Sequence, residues 1–169
     1  MNKFHVSVLT LFLLISQHSV AQQTVFLIRH AEKIISTDKD PALAEAGIQR
    51  ANALVDLFSN AQPSAIFATQ YQRTQLTAKP LSMALDVPIT ILEINADNTV
   101  QYPALLMQQI CTLPKDSNVL VVGHSNSLPA IVGGWINVAV KPIADDEYNR
   151  IFMVKIKDCK AENSLDLRY

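Results

Sequence analysis

Apolar and polar positions along the chain switch repeatedly between runs that suit strands and spacings that suit helices. Residues 24–28 (Thr-Val-Phe-Leu-Ile) are β-branched, aromatic or aliphatic with no polar interruption after Thr24, the pattern of a central parallel strand buried on both faces. That run ends in Arg29 and His30, and residues 30–40 are then polar and unpatterned, hence a loop. Asp40 and Pro41 supply an N-cap and a first-turn signal, and Ala51, Leu54, Val55 and Phe58 recur at helical spacing. The expectation is a helix over 41–59, with Gly47 its weak point.

After a turn at 60–63, the short run 65–68 reads as a second strand. Residues 73–85 read as a second helix with Leu76, Ala84 and Leu85 inward and Pro80 bending it. Residues 87–92 predict a third strand, 93–101 a polar loop, and 103–113 a third helix carrying Leu105, Leu106, Gln109 and Ile110. The apolar run 119–122 predicts a fourth strand, followed at once by Gly123-His124-Ser125-Asn126-Ser127 and a short helix over 128–136. Residues 150–157 alternate as a fifth strand with one partly wet face, and 165–168 suit an edge strand. Strand and helix alternate throughout, which predicts an α/β fold: a single domain with a mostly parallel central sheet flanked by helices on both faces.

Composition changes this picture mainly at the start of the 169-residue chain. Lys3, the apolar stretch 6–15 and the small residues Ser19, Val20 and Ala21 have the layout of a secretory signal peptide over 1–21, with the domain at 22–169. The apolar run is shorter than the roughly 20 residues a membrane-spanning helix needs, so stable membrane insertion is not expected. The predicted location is the periplasm or the cell exterior. Formal net charge is −1, one unit more negative without Lys3, and no basic tract argues for nucleic acid as a partner. Cys111 and Cys159 are far apart and outside any metal-binding spacing; in an oxidising compartment a disulfide and two buried thiols are both open.

Candidate chemistry follows from what stands beyond the strands. The domain holds two histidines, His30 and His124, each immediately after an apolar strand, and Arg29 and Arg73 stand beyond strands as well. If these strands are neighbours, two guanidinium groups and two imidazoles meet at one edge of the sheet. Fork-shaped, permanently charged donors match a phosphate. Their field disfavours an imidazolium, which keeps a nearby histidine neutral and nucleophilic near pH 7.

Arg29-His30, Arg73-Thr74 with Leu76-Thr77-Ala78, and Val121-Val122-Gly123-His124 resemble the signature of the histidine phosphatase superfamily, with its phosphoglycerate mutase-like fold. Leu43, Gly47, Gln49 and Ala51 resemble that family's first helix, and Ala31 stands where the family usually has glycine. The resemblance implies a phosphatase that hydrolyses small-molecule phosphomonoesters through a phosphohistidine on His30. Arg29, Arg73 and His124 would hold the phosphoryl oxygens, with no metal or other cofactor. It also implies an acid in the loop after the third strand, Glu93 first and Asp97 second. Glu32 and Lys33 read as a mutual surface ion pair. No large insertion is present to close over the site, so an open-site phosphatase is implied rather than a mutase.

Three other readings are weighed. A binding domain of the same fold, for a phosphate ligand or a partner and without turnover, is the alternative from a different class. Gly123-His124-Ser125 also looks like a hydrolase nucleophile elbow on Ser125, but no histidine follows His124 to act as its base. A zinc-deaminase reading of His30-Ala31-Glu32 lacks the Pro-Cys-X-X-Cys that would complete the metal site.

Overall fold

β1 (Gln23–Arg29) is the strand on which the sheet is assembled, paired parallel to β4 (Asn118–Gly123) on one side and antiparallel to β5 (Arg150–Lys157) on the other. In the computed structural model, which describes residues 21–169, β2 (Ala65–Ala68) lies parallel to β4 and β3 (Ile89–Ile91) parallel to β2. β6 (Lys160–Arg168) closes the other edge as the hairpin partner of β5, giving the order β3-β2-β4-β1-β5-β6. The predicted α/β domain is thus present, with a mixed, mostly parallel sheet. The expected signal peptide falls, but for Ala21, outside the described residues. Among those described, no helix is long and apolar enough to cross a membrane.

The period of two along β1 separates the two cores. Val25 and Leu27, with Val119 and Val121 of β4, pack against α3 (Tyr102–Cys111) and α4 (Ser127–Ile136) through Leu106, Ile110, Leu128 and Ile131. On the opposite face, Ile28, Leu120 and Val122 pack against α1 (Glu45–Leu57) and α2 (Gln72–Leu85) through Leu54 and Leu81, together with Phe58 just past the end of α1. A strand buried on both faces is what the unbroken apolar run demands.

Several elements depart from the sequence expectation for identifiable reasons. α1 begins at Glu45, not at 41, and Asp40 is not its cap. Residues 41–44 instead run extended against the loop after β1: Lys33 and Leu43 form an antiparallel bridge, Ile34 N–H donates to the Ala42 carbonyl and Ala44 N–H to that of Glu32. The Asp40 carboxylate accepts the Gln72 N–H at 2.9 and 3.1 Å, capping α2 from a distance. Pro80 sits inside α2 without ending it, and the buried face of that helix is Thr74, Thr77, Ala78 and Leu81, with Ala84 exposed. In α3, Leu105 and Gln109 lie on the outer side, while Tyr102, Leu106 and Ile110 are buried.

β6 is more than twice the length expected, because the turn before it carries no glycine to announce it. Asp158 and Cys159 both adopt positive φ, 47° and 60°, the backbone of a two-residue hairpin turn. Cys159 is bonded there to Cys111 at the end of α3, which resolves the cysteine question as a disulfide. Closing a sequence separation of 48 residues contributes about 4 kcal/mol in the chain-entropy treatment.

Gly47 is not a weak point but a contact. A Cβ there would sit on the carbonyl oxygen of Glu32, closer than real Cβ atoms come to any backbone atom. Gly47→Ala is therefore expected to destabilise the protein by about 1–3 kcal/mol, read as a fall in Tm. The same change in a helix free of that contact would stabilise it by about 1 kcal/mol.

Candidate active site

The register of β1 against β4 sets the site. Arg29 lies opposite Gly123, and the His30 N–H donates to the Gly123 carbonyl at 2.9 Å, so the residues that follow the two strands, His30 and His124, emerge side by side. Their ring centroids are 5.4 Å apart, and both side chains are buried at the floor of an open cavity of about 490 Å³. Arg73, the second residue of α2, reaches the same cavity from the end of β2. The structure thus brings together Arg29, His30, Arg73 and His124.

His30 is held in one protonation form. Its Nδ1 lies 2.8 Å from the Ala31 carbonyl oxygen, which can only accept, so Nδ1 carries the hydrogen and Nε2 keeps a lone pair in the neutral ring. Burial lowers its pKa to about 4, and the nearby charges of Arg73, Arg29 and Lys33 act in the same direction, against the Ala31 hydrogen bond. For His124 burial again dominates, with His30, Arg73 and Arg29 adding to it, and its pKa falls to about 3. The His124 Nε2 pairs with the Thr69 hydroxyl at 3.0 Å, and Thr69 in turn with Thr74 at 2.9 Å. Tyr71 sets its ring edge-on to His124 at 5.3 Å between centroids.

The two arginines are held differently. Nη1 of Arg29 donates to the carbonyls of Ala144, Asp145 and Glu147 at 2.9–3.0 Å, and its guanidinium stacks on Tyr148 at 4.0 Å. Its Nε is buried with no hydrogen-bond partner. A donor left so is costly unless a ligand oxygen meets it. Arg73 stacks on Tyr71 at 4.3 Å and touches Asp40 only at 3.5 Å, so most of its donors are uncommitted.

Residues to which the sequence analysis assigned no positioning role hold this arrangement. The Thr77 hydroxyl accepts the Ala31 N–H at 2.9 Å and donates to the Arg73 carbonyl at 2.6 Å, tying the loop after His30 to the helix that carries Arg73. Ala31 is fully buried against Leu43 and Ala51, so a methyl group in place of glycine is accommodated. Arg150, 1% exposed, binds Asp166 through Nε and Nη2 and the Lys141 and Pro142 carbonyls through Nη1. It thereby fixes the segment that Arg29 contacts. A lone arginine at a strand start carries no sequence signal for that role.

One expectation about charged neighbours is corrected. Glu32 pairs with Arg50 of α1, not with Lys33, through contacts of 2.7–3.1 Å, and this holds its carboxyl below the usual range. Lys33 lines the cavity instead. Neither Glu93 nor Asp97 reaches the cavity wall; Ile94, Asn95, Ala96 and Thr99 do. Gln70 clamps Ile94 through both its N–H and its carbonyl, and the Asn95 side chain accepts the N–H groups of Asp97 and Asn98, a turn that leaves Glu93 and Asp97 exposed. Among the described residues, the one acidic residue lining the wall is Asp145, on the loop between α4 and β5. No group of three or more metal-ligating side chains occurs among the described residues.

Comparison with known proteins bears on this site. Residues 25–94 match the histidine phosphatase superfamily (branch 1). No curated protein matches the chain in sequence. Among solved structures, a putative α-ribazole-5′-P phosphatase from Escherichia coli superposes with a TM-score of 0.69 at 16% identity, covering 87% of this chain and 96% of that one. The protein histidine phosphatase SixA, in complex with tungstate, gives 0.68 at 14% identity over 86% and 96%. A mycobacterial glucosyl-3-phosphoglycerate phosphatase gives 0.68 at 12% identity over 88% and 98%. At these identities the structures show a shared fold. The superfamily match spans Arg29, His30 and Arg73, and over most of its length the chain shares the fold of these phosphatases.

Proposed function

We propose that the protein is a metal-independent phosphatase that hydrolyses phosphomonoesters through a phosphohistidine on His30. The observation that carries this reading is the protonation form of His30: neutral, with Nδ1–H spent on Ala31 and Nε2 bare, in a cavity that also holds Arg29, Arg73 and His124. Nε2 attacks phosphorus, the bond to the leaving oxygen breaks, and water then displaces the phosphoryl group from the imidazole. Arg73 and the unpartnered Nε–H of Arg29 bind the phosphoryl oxygens, and His124 adds a ring N–H to the same charge. Lys33 at the rim adds to the field that draws in an anion.

Asp145 takes the place that the sequence suggested for Glu93, donating the proton to the leaving oxygen. It is the acidic residue that lines the cavity, and its backbone is held by the Arg29 contact to its carbonyl. Export is part of the same proposal: the signal-like residues 1–21 and the Cys111–Cys159 disulfide both suit an oxidising compartment.

Phosphate released from a small aryl phosphate should be abolished by His30→Ala and unaffected by Ser125→Ala, with acid-labile label trapped on the wild type only. Label on serine would sink the scheme. Asp145→Asn should slow phenyl phosphate by about 10²-fold while barely changing p-nitrophenyl phosphate, whose leaving group needs no proton; equal effects on both would remove Asp145 from this role. Because burial disfavours the charged rings, His30 and His124 should remain neutral as pH falls through 6.5 and protonate only near 4 and 3. The ring carbon shifts in NMR test this, and titration of either near 6.5 would contradict it.

A further inference from the structure

A second cavity, of about 790 Å³, continues from the candidate active site. Thr99, Pro103 and Ala130 line both, so the two share a wall and form one connected surface. The groove runs between α3 and α4 from the rim of the histidine cavity, lined along α3 by Pro103, Ala104 and Met107, toward the disulfide turn of Cys159. Apart from Thr99 and Lys160 its walls are apolar, with Val100, 87% exposed, at the mouth and Met107 and Trp135 along it. The Trp135 Nε1–H donates to the Pro103 carbonyl at 2.8 Å, which pins the indole across the two helices.

Two adjacent glycines in α4 separate packing from opening. At Gly133 a Cβ would meet the Val138 carbonyl oxygen at 2.9 Å, so the close approach of the following chain accounts for that glycine. At Gly134 the nearest atom to a Cβ would be Pro103 Cβ at 4.0 Å, so packing does not require its absence. Glycine is a poor helix former, and what a side chain at 134 would occupy is the groove.

We infer that this groove is the subsite for the apolar part of the substrate, and that the substrate class is a phosphomonoester of a long apolar alcohol. This rests on the phosphatase reading, which places the phosphoryl group in the adjoining cavity. An occupant whose head is fixed by arginines and histidines and whose body lies on Met107 and Trp135 must be anionic at one end and apolar along its length.

The test uses 4-ethyl-, 4-butyl- and 4-hexylphenyl phosphate, which share one leaving-group chemistry and differ in tail length. Wild-type kcat/KM should rise about two- to fourfold per added methylene. Gly134→Leu and Ala104→Phe should flatten the series while leaving phenyl phosphate turnover unchanged, with folding checked by Tm. Trp135 is the single tryptophan of the chain, so its emission reports the groove without turnover. A saturable blue shift is expected with n-octylphosphonate and none with methylphosphonate. If no aryl phosphate is hydrolysed yet octylphosphonate still shifts Trp135, the phosphatase reading fails and the groove stands. A flat tail-length series with an unmoved Trp135 overturns the groove while phenyl phosphate turnover upholds the phosphatase. Emission that follows protein concentration and ignores octylphosphonate means a second copy covers the groove, and also overturns the inference.

Discussion

The parallel pairing of β1 with β4 is the contact on which the rest depends. It places Gly123 opposite Arg29 and gives the His30 N–H its acceptor, so both histidines leave the sheet at one level. A slip of one residue would turn every side chain of β1 to the other face. Val25 and Leu27 would then leave the α3–α4 core and Ile28 the α1–α2 core. The site is therefore held by the same hydrophobic burial that holds the fold, and it cannot be displaced without unpacking both layers.

Around that pairing the structure places charge in two kinds of setting. Arg150 and Glu32–Arg50 are spent on the scaffold, each guanidinium meeting a carboxylate. Arg29 lies between scaffold and site. Three backbone carbonyls satisfy one of its nitrogens, and its buried Nε is left over. Carbonyl dipoles hold a guanidinium in place without cancelling its charge as a carboxylate would. Arg29 can thus fix the loop 144–147 and still raise the potential of the cavity. The two depressed histidine pKa values report that potential together with burial.

The histidine cavity and the groove beside it differ in their lining, the first rich in charged and polar side chains and the second largely apolar. The first is built by strand ends and the second by helices α3 and α4, which can vary without moving the histidines.

The sequence by itself determined the alternation of strand and helix, the doubly buried character of residues 24–28, the apolar run 119–122, and the placing of Arg29, His30, Arg73 and His124 beyond strand ends. Each of these follows from local pattern, because a strand buried on both faces must be apolar and its end is where polar residues can first appear. That those strands are neighbours is tertiary. Tertiary structure decided the rest. That Glu93 and Asp97 point away from the cavity depends on the Asn95 turn, and the partner of Glu32 on where α1 crosses it. Whether Gly47 weakens a helix or permits a contact depends on a backbone that arrives from elsewhere in the chain. The groove, the disulfide and the long β6 likewise arise from surfaces brought together across dozens of residues, and local periodicity carries no record of such distances.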